Sequence, residues 1–118
     1  MWFRTKVVGV TFDGRQRFVR RCRRGEKLII RRDRDNTKSG HAIEVCRRNG
    51  TRLGYIRDEL AAAVCERLGD DPTLEGKVLA RTGGRWRWFR RQPAGLNILV
   101  WAKGHKPSRR ELAEADSR

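Results

Sequence analysis

The residues of this chain best suited to chemistry are its arginines. They fall in three runs: Arg20, Arg21, Arg23 and Arg24 in FVRRCRR, Arg31, Arg32 and Arg34 in RRDR, and Arg85, Arg87, Arg90 and Arg91 in RWRWFRR. A guanidinium presents a planar fork of donors that matches phosphate oxygens two at a time and stacks on flat rings, which the compact ammonium of lysine does not. With 29 Lys+Arg against 14 Asp+Glu, the 118 residues carry a formal net charge of +15. That much like charge on a small domain repels itself unless a polyanion is near. A polyphosphate backbone that meets it releases condensed counterions, which gives affinity without sequence information. In RWRWFRR, strand alternation puts Trp86 and Trp88 on one face and Arg85, Arg87 and Phe89 on the other, so stacking surfaces would stand beside phosphate contacts.

Nothing of comparable weight points to catalysis. The chain has no phosphate-cradling glycine-rich loop, no nucleophile elbow and no HExxH, and His41 and His105 lack metal-ligand spacing. Cys22, Cys46 and Cys65 are odd in number and widely separated, which indicates neither a disulfide framework nor a zinc knuckle but small apolar core residues in a reducing compartment. The expectation is a non-enzymatic binding protein with no cofactor and no metal. No apolar run approaches the roughly 18 to 20 residues of a membrane span. Residues 1–10 lack a signal peptide's apolar stretch, and no basic amphipathic helix offers itself to an acidic membrane. A cytoplasmic, nucleoid-associated protein is expected.

The elements that must position these groups are mostly strands. TKVVGVTF, with Val7, Val8, Val10 and Phe12, reads as a first strand with Gly9 at a bulge or close approach, ended by Asp13-Gly14. An arginine-dense stretch, 16–24, precedes a short strand KLIIRR at 27–32 and a polar loop from Arg32 to His41. Ala42 to Arg48 alternates, Asn49-Gly50 is the strongest hairpin signal in the chain, and Thr51 to Ile56 is the return strand. From Asp58 the period becomes helical through Leu60, Ala61, Val64 and Leu68, with Asp58 and Glu59 suited to the first turn and Gly69 ending the helix. Lys77 to Arg81 and Leu96 to Ala102 are further strands, and the segment after Lys103 shows no hydrophobic periodicity. The fold expected is mainly β, α+β by content: a small, OB-like curved β-barrel of about six strands with one helix.

In this order the segments resemble the HIRAN domain family. VVGVTF at 7–12, GEKLIIRRDRDNTKSGHAIEV at 25–45, GTRLGYIRDELAAAV at 50–64, EGKV at 75–78 and ILVWAKG at 98–104 carry the resemblance, the loop-to-strand and hairpin-to-helix elements most specifically. It implies a HIRAN-like domain over residues 1–104 and a flexible polar tail over 105–118. It also implies an OB-related barrel that holds the 3′ end of single-stranded DNA between the first strand, the DN loop and the start of the helix.

Carried to this sequence, the resemblance has Phe12 and Tyr55 stacking on bases, and the aromatic interleaving of RWRWFRR adds Trp88 as a further ring. Asn36 and Ser39 would supply polar contacts and Thr11 stands where a basic residue can occur in helicase-linked members, while the chain's own cations Lys38, Arg57, Arg85 and Arg87 are expected to anchor phosphates. The chain departs from the family's loop at Thr37, Lys38, Ser39 and His41, which replace a proline, an aromatic, an aspartate and an asparagine. Ser39 is a neutral group where the family presents a carboxylate to the 3′-hydroxyl, and Lys38 exchanges a ring for a phosphate-seeking cation. The implied function is binding of single-stranded DNA, with 3′-end preference open, in repair or replication-fork processing. Alternatives are an RNA or duplex binder without end recognition, and an adaptor for a helicase or nuclease anchored by Trp86 and Trp88.

Overall fold

The computed structural model of the chain describes residues 1–84, 86–87 and 90–116. Its elements, in order, are β1 (Trp2–Lys6), α1 (Gln16–Val19), β2 (Lys27–Arg32), β3 (Ile43–Arg47), β4 (Arg52–Tyr55), α2 (Asp58–Leu68), β5 (Leu74–Gly83), β6 (Trp86–Arg87), β7 (Arg90–Arg91), β8 (Ala94–Ala102) and α3 (Arg109–Asp116). Six strands pair antiparallel in the order β1-β8-β5-β2-β3-β4 and curl into a half-barrel, while β6 and β7 form a separate two-stranded ribbon. The chain is mainly β, as its alternating patterns lead one to expect. Among the described residues no helix is long and apolar enough to cross a membrane.

Alternation places the core. In β8 the side chains of Leu96, Ile98 and Val100 are fully buried, and they pack with Ile30 of β2, Val45 of β3, Leu53 of β4 and Val78 of β5. The sheet curls because its register slips at Val45/Cys46 and at Val78/Ala80, as bulges do. Helix α2 joins the core through Ala61, Val64 and Cys65, at i, i+3 and i+4 on a single face. It ends at Gly69, whose φ of +91° suits glycine.

The first strand differs from expectation. β1 is Trp2–Lys6, paired with β8 from Trp2↔Trp101 to Lys6↔Asn97, whereas Val7 to Phe12 crosses between sheet edges. Val7 N–H still donates to Leu96 O, but Val8 exchanges both backbone bonds with Tyr55 of β4, each at 2.9 Å. Gly54 makes the crossing feasible, since a Cβ there would lie 2.3 Å from Val8 O. Gly9, at φ +72°, then turns the chain away.

Two helices join the expected one. In α1, Val19 (with Cys22 just beyond it) is buried, and the Gln16 side chain bonds Val10 O and both backbone groups of Ala94. The arginine-dense stretch thus has an apolar underside. At α3, Ser108 and Glu111 exchange side-chain and backbone bonds as a capping box, and Arg4 of β1 binds the Asp116 carboxylate and Leu112 O.

Candidate nucleic-acid interface

The crossing segment, the loop after β2 and strand β4 enclose an open cleft of about 750 Å³. Phe12, Asn36, Lys38 and Tyr55, singled out from the sequence, all line it. Phe12 reaches the cleft because the turn after Gly9 is closed by Phe12 N–H to Gly9 O and Arg15 N–H to Phe12 O. The residue is 65% exposed, an apolar surface that the core does not claim.

Tyr55 is held from several directions. Its hydroxyl donates to Asp33 Oδ2 at 2.7 Å, and the Arg15 and Arg52 guanidinium carbons lie 5.4 and 5.2 Å from its ring centroid. Burial first, then the bond to Asp33, pushes its phenol above the ordinary tyrosine value. Arg15 is nearly buried and donates to Gly9 O at 2.8 Å and to Asp13 at 3.3 Å, so it fixes the glycine turn against the tyrosine. Beneath them Glu44, buried on β3, accepts from Arg31 at 2.5 Å and from Arg52 at 2.7–2.8 Å, and Arg52 also lies 3.5 Å from Asp33. Each buried carboxylate here therefore has a cationic partner, the condition for tolerating it in the fold.

Asn36 orders the loop. Its Oδ1 accepts from Lys38 N–H at 2.9 Å and from Ser39 N–H at 3.1 Å, an Asx-type turn, which leaves the amide nitrogen without a partner among the described residues. Lys38 is exposed at the rim.

Other residues named from the sequence stand elsewhere. Ser39 does not line the cleft: its hydroxyl donates to Asp58 at the start of α2 and accepts from His41 N–H. Thr11 and Arg57 are exposed outside the lining, Arg57 as the residue preceding α2. Arg87 belongs to β6, and Arg85 and Trp88 lie outside the described residues.

The cleft also contains residues that sequence reasoning passed over: Asp13, Asp33 and Asp35 on the acidic side, Arg15 and Arg52 on the basic side. Three carboxylates thus face three cations, Arg15, Lys38 and Arg52, so the cleft is close to neutral on a strongly basic chain. Asp33 is committed to Tyr55 and to Asp35 N–H, whereas the exposed Asp35 carboxylate has no partner among the described residues. The chemistry on offer is stacking on Phe12, donation from Asn36 and acceptance by Asp35, with Lys38 as a phosphate contact. Among the described residues no group of His, Cys, Asp or Glu is placed to hold a metal ion, and the three cysteines are buried and free.

Comparison with known proteins agrees with this architecture. The profile of the HIRAN domain family matches residues 2–84. The fold is similar to the crystal structure of the HIRAN domain of human HLTF, with a TM-score of 0.55 and 23% sequence identity over 87% of this chain and 77% of that one. A comparison with curated proteins gives no match.

Proposed function

The chain belongs to the HIRAN domain family, a family of nucleic-acid-binding domains, and from that premise we propose that it binds single-stranded DNA as a non-enzymatic module. The observation that carries this is that the exposed Phe12 and the Asn36 amide nitrogen, unpartnered among the described residues, line the same concave site. A splayed base offers a π-face to the ring and polar edges to the amide, whereas a stacked duplex offers neither. Tyr55, braced by Arg15 and Arg52, forms the wall against which the strand rests.

The strand end enters the cleft with its 3′-hydroxyl toward Asp35. An ionised carboxylate is an acceptor only, so it favours a hydroxyl and repels a 3′-phosphate. Asp35 takes the part that Ser39 would have taken, since the Ser39 hydroxyl is occupied by Asp58. Lys38 meets the first phosphate beyond the cleft, and Arg57, Arg85, Arg87 and Trp88 extend the contact along the strand. A role in repair or fork processing, on the nucleoid and alongside a helicase or nuclease, follows from a module that holds exposed strand ends.

Labelled single strands carrying a 3′-hydroxyl or a 3′-phosphate, beside duplex DNA and RNA, test this across a salt series. Preferred binding of the 3′-hydroxyl strand that survives added salt is the expected result. If all four substrates bind alike with a steep salt slope, end recognition is lost and only charge-driven binding stands. No binding at physiological salt removes both.

A further inference from the structure

The arginine run after α1 has no part in the cleft. It lines a second concavity of about 890 Å³ that shares no lining residue with the first. Arg20, Arg21, Arg23, Arg24, Arg47 and Arg81 surround it against one carboxylate, Glu26, which Arg47 already engages at 2.5 Å. Arg20, Arg21, Arg23, Arg24 and Arg81 make no ion pair among the described residues. The positive charge that the near-neutral cleft lacks is concentrated here.

The basin is built rather than an accident of loose side chains. Cys22, 2% exposed, pins the middle of the run into the core, which turns Arg21, Arg23 and Arg24 outward. Backbone bonds fix the turn on both sides: Arg21 N–H to Phe18 O, Cys22 N–H to Val19 O, Glu26 N–H to Arg23 O and Gly25 N–H to Val78 O. From β5 the Arg81 guanidinium donates to Arg20 O. Among the described residues, the buried side-chain polar atoms without a partner are Arg20 Nε and Glu26 Oε2, both in this basin. A buried donor without an acceptor is rare in folded proteins, and at Arg20 Nε, in a ring of cations, an anion is the acceptor the surroundings favour, whereas Glu26 Oε2 is itself an acceptor that an anion does not satisfy.

We propose that this basin is a second nucleic-acid contact: a site for the phosphodiester backbone, indifferent to base identity, that holds the strand whose end lies in the cleft. The proposal rests on the DNA-binding reading above. Helix α1 connects the two sites, with Arg15 before it in the cleft and Arg20 after it in the basin. The backbone rise from Arg15 to Arg20 is roughly 7–8 Å, comparable to two to three steps at the roughly 3.4 Å per nucleotide of a stacked strand, so one strand can reach from residues of one site to residues of the other. The cleft thus reads the end, and the basin supplies affinity.

The test compares the triple variant Arg21→Gln, Arg23→Gln, Arg24→Gln with a charge-matched control, Arg67→Gln, Arg109→Gln, Arg110→Gln, whose positions are exposed outside both sites. Binding of a 3′-hydroxyl strand of about sixteen nucleotides, a length that spans a full binding site, is followed against salt. Three lost phosphate contacts should lower the slope of log affinity against log salt by about 2, while the control stays close to the wild type. Equal slopes for the two variants overturn the basin. In parallel, inorganic tripolyphosphate is titrated into the wild-type protein and the Arg20 Nε–H resonance is followed by NMR. A saturable shift supports the site; its absence overturns it whatever the DNA result. A wild-type protein that binds no strand overturns the function proposed above, and a tripolyphosphate shift in that case still assigns a phosphate site.

Discussion

The Tyr55 hydroxyl donates to the Asp33 carboxylate at 2.7 Å, and this bond ties strand β4 to the loop that carries Asn36 and Lys38. Because Asp33 is only 9% exposed, it depends on its donors. Tyr55→Phe should cost about 1.5–3 kcal/mol of stability, the range for a hydrogen bond to a charged group, and leave DNA affinity within about threefold, because the ring stays. Tyr55→Ala should lose the ring as well and weaken DNA binding about tenfold or more. Urea melts and fluorescence anisotropy on both variants check this, and equal binding by the two would remove Tyr55 from the interface.

Phe12 tests the stacking surface with little structural interference. Since most of the ring is in solvent, Phe12→Ala should change stability by less than about 0.5 kcal/mol. Single-strand affinity should fall by about 1–3 kcal/mol, the range for losing one base-stacking aromatic. Unchanged affinity in a stable variant would show that bases do not stack there.

Gly54→Ala should be among the most damaging small substitutions in the chain. The added methyl would lie 2.3 Å from Val8 O and 2.6 Å from a Val7 methyl, so the crossing segment must lift off β4. Overpacking of this kind costs about 3 kcal/mol, and DNA binding should fail with it because Phe12 rides on the displaced segment. Gly50→Ala in the hairpin turn meets no nearby atom and carries only the strain of its φ of +88°, about 1 kcal/mol. Thermal melts rank the two.

Restoring a carboxylate at position 39 should not restore an end pocket. The Ser39 hydroxyl faces Asp58, so Ser39→Asp sets two carboxylates against each other and removes a bond that tethers the loop to α2. Stability should fall by about 1 kcal/mol with no gain in preference for a 3′-hydroxyl. Asp35→Asn should abolish the preference between 3′-hydroxyl and 3′-phosphate ends. A competition assay between the two ends separates these outcomes.

Alkali should loosen the fold through Cys22 and Tyr55, among the groups whose deprotonation burial opposes. Burial, then the Glu26 charge, pushes the Cys22 thiol up from 9.0 to about 12, and burial raises the Tyr55 phenol above its usual value. Both groups are neutral when protonated, and both have raised folded-state values. Their stabilisation is therefore complete below about pH 9 and is lost as pH climbs through the folded values. Stability at pH 10.5 should be about 1–2 kcal/mol below that at pH 8 from Cys22 alone, and Cys22→Ala should shrink that difference. Urea melts at the two pH values measure it.

Local signals in the sequence determined the pieces that local physics controls. Asn49-Gly50 specified its hairpin because the turn needs positive φ there, and Asp58 to Gly69 specified α2 through its acidic first turn, helical period and glycine stop. Helix α3 was not read from the sequence, because the segment after Lys103 shows no hydrophobic periodicity; the Ser108 to Glu111 capping box is the local signal that could have found it. Phe12, Asn36, Lys38 and Tyr55 were legible as one group through their place in a family pattern.

What tertiary structure alone decided is which distant segments meet. Val7 to Phe12 has every property of a strand, yet it crosses the sheet edge because Gly54, more than forty positions away, leaves room for Val8 O. Asp13, Asp33 and Asp35 neutralise the cleft only because the crossing segment brings Asp13 opposite the loop after β2. Arg47 and Arg81 join the arginine run only where β3 and β5 flank it. Net charge adds along a chain in any order, but the potential at a point depends on which charges fold toward it. A sequence of +15 therefore points to a polyanion, and the fold sets a near-neutral cleft apart from a separate basin of arginines.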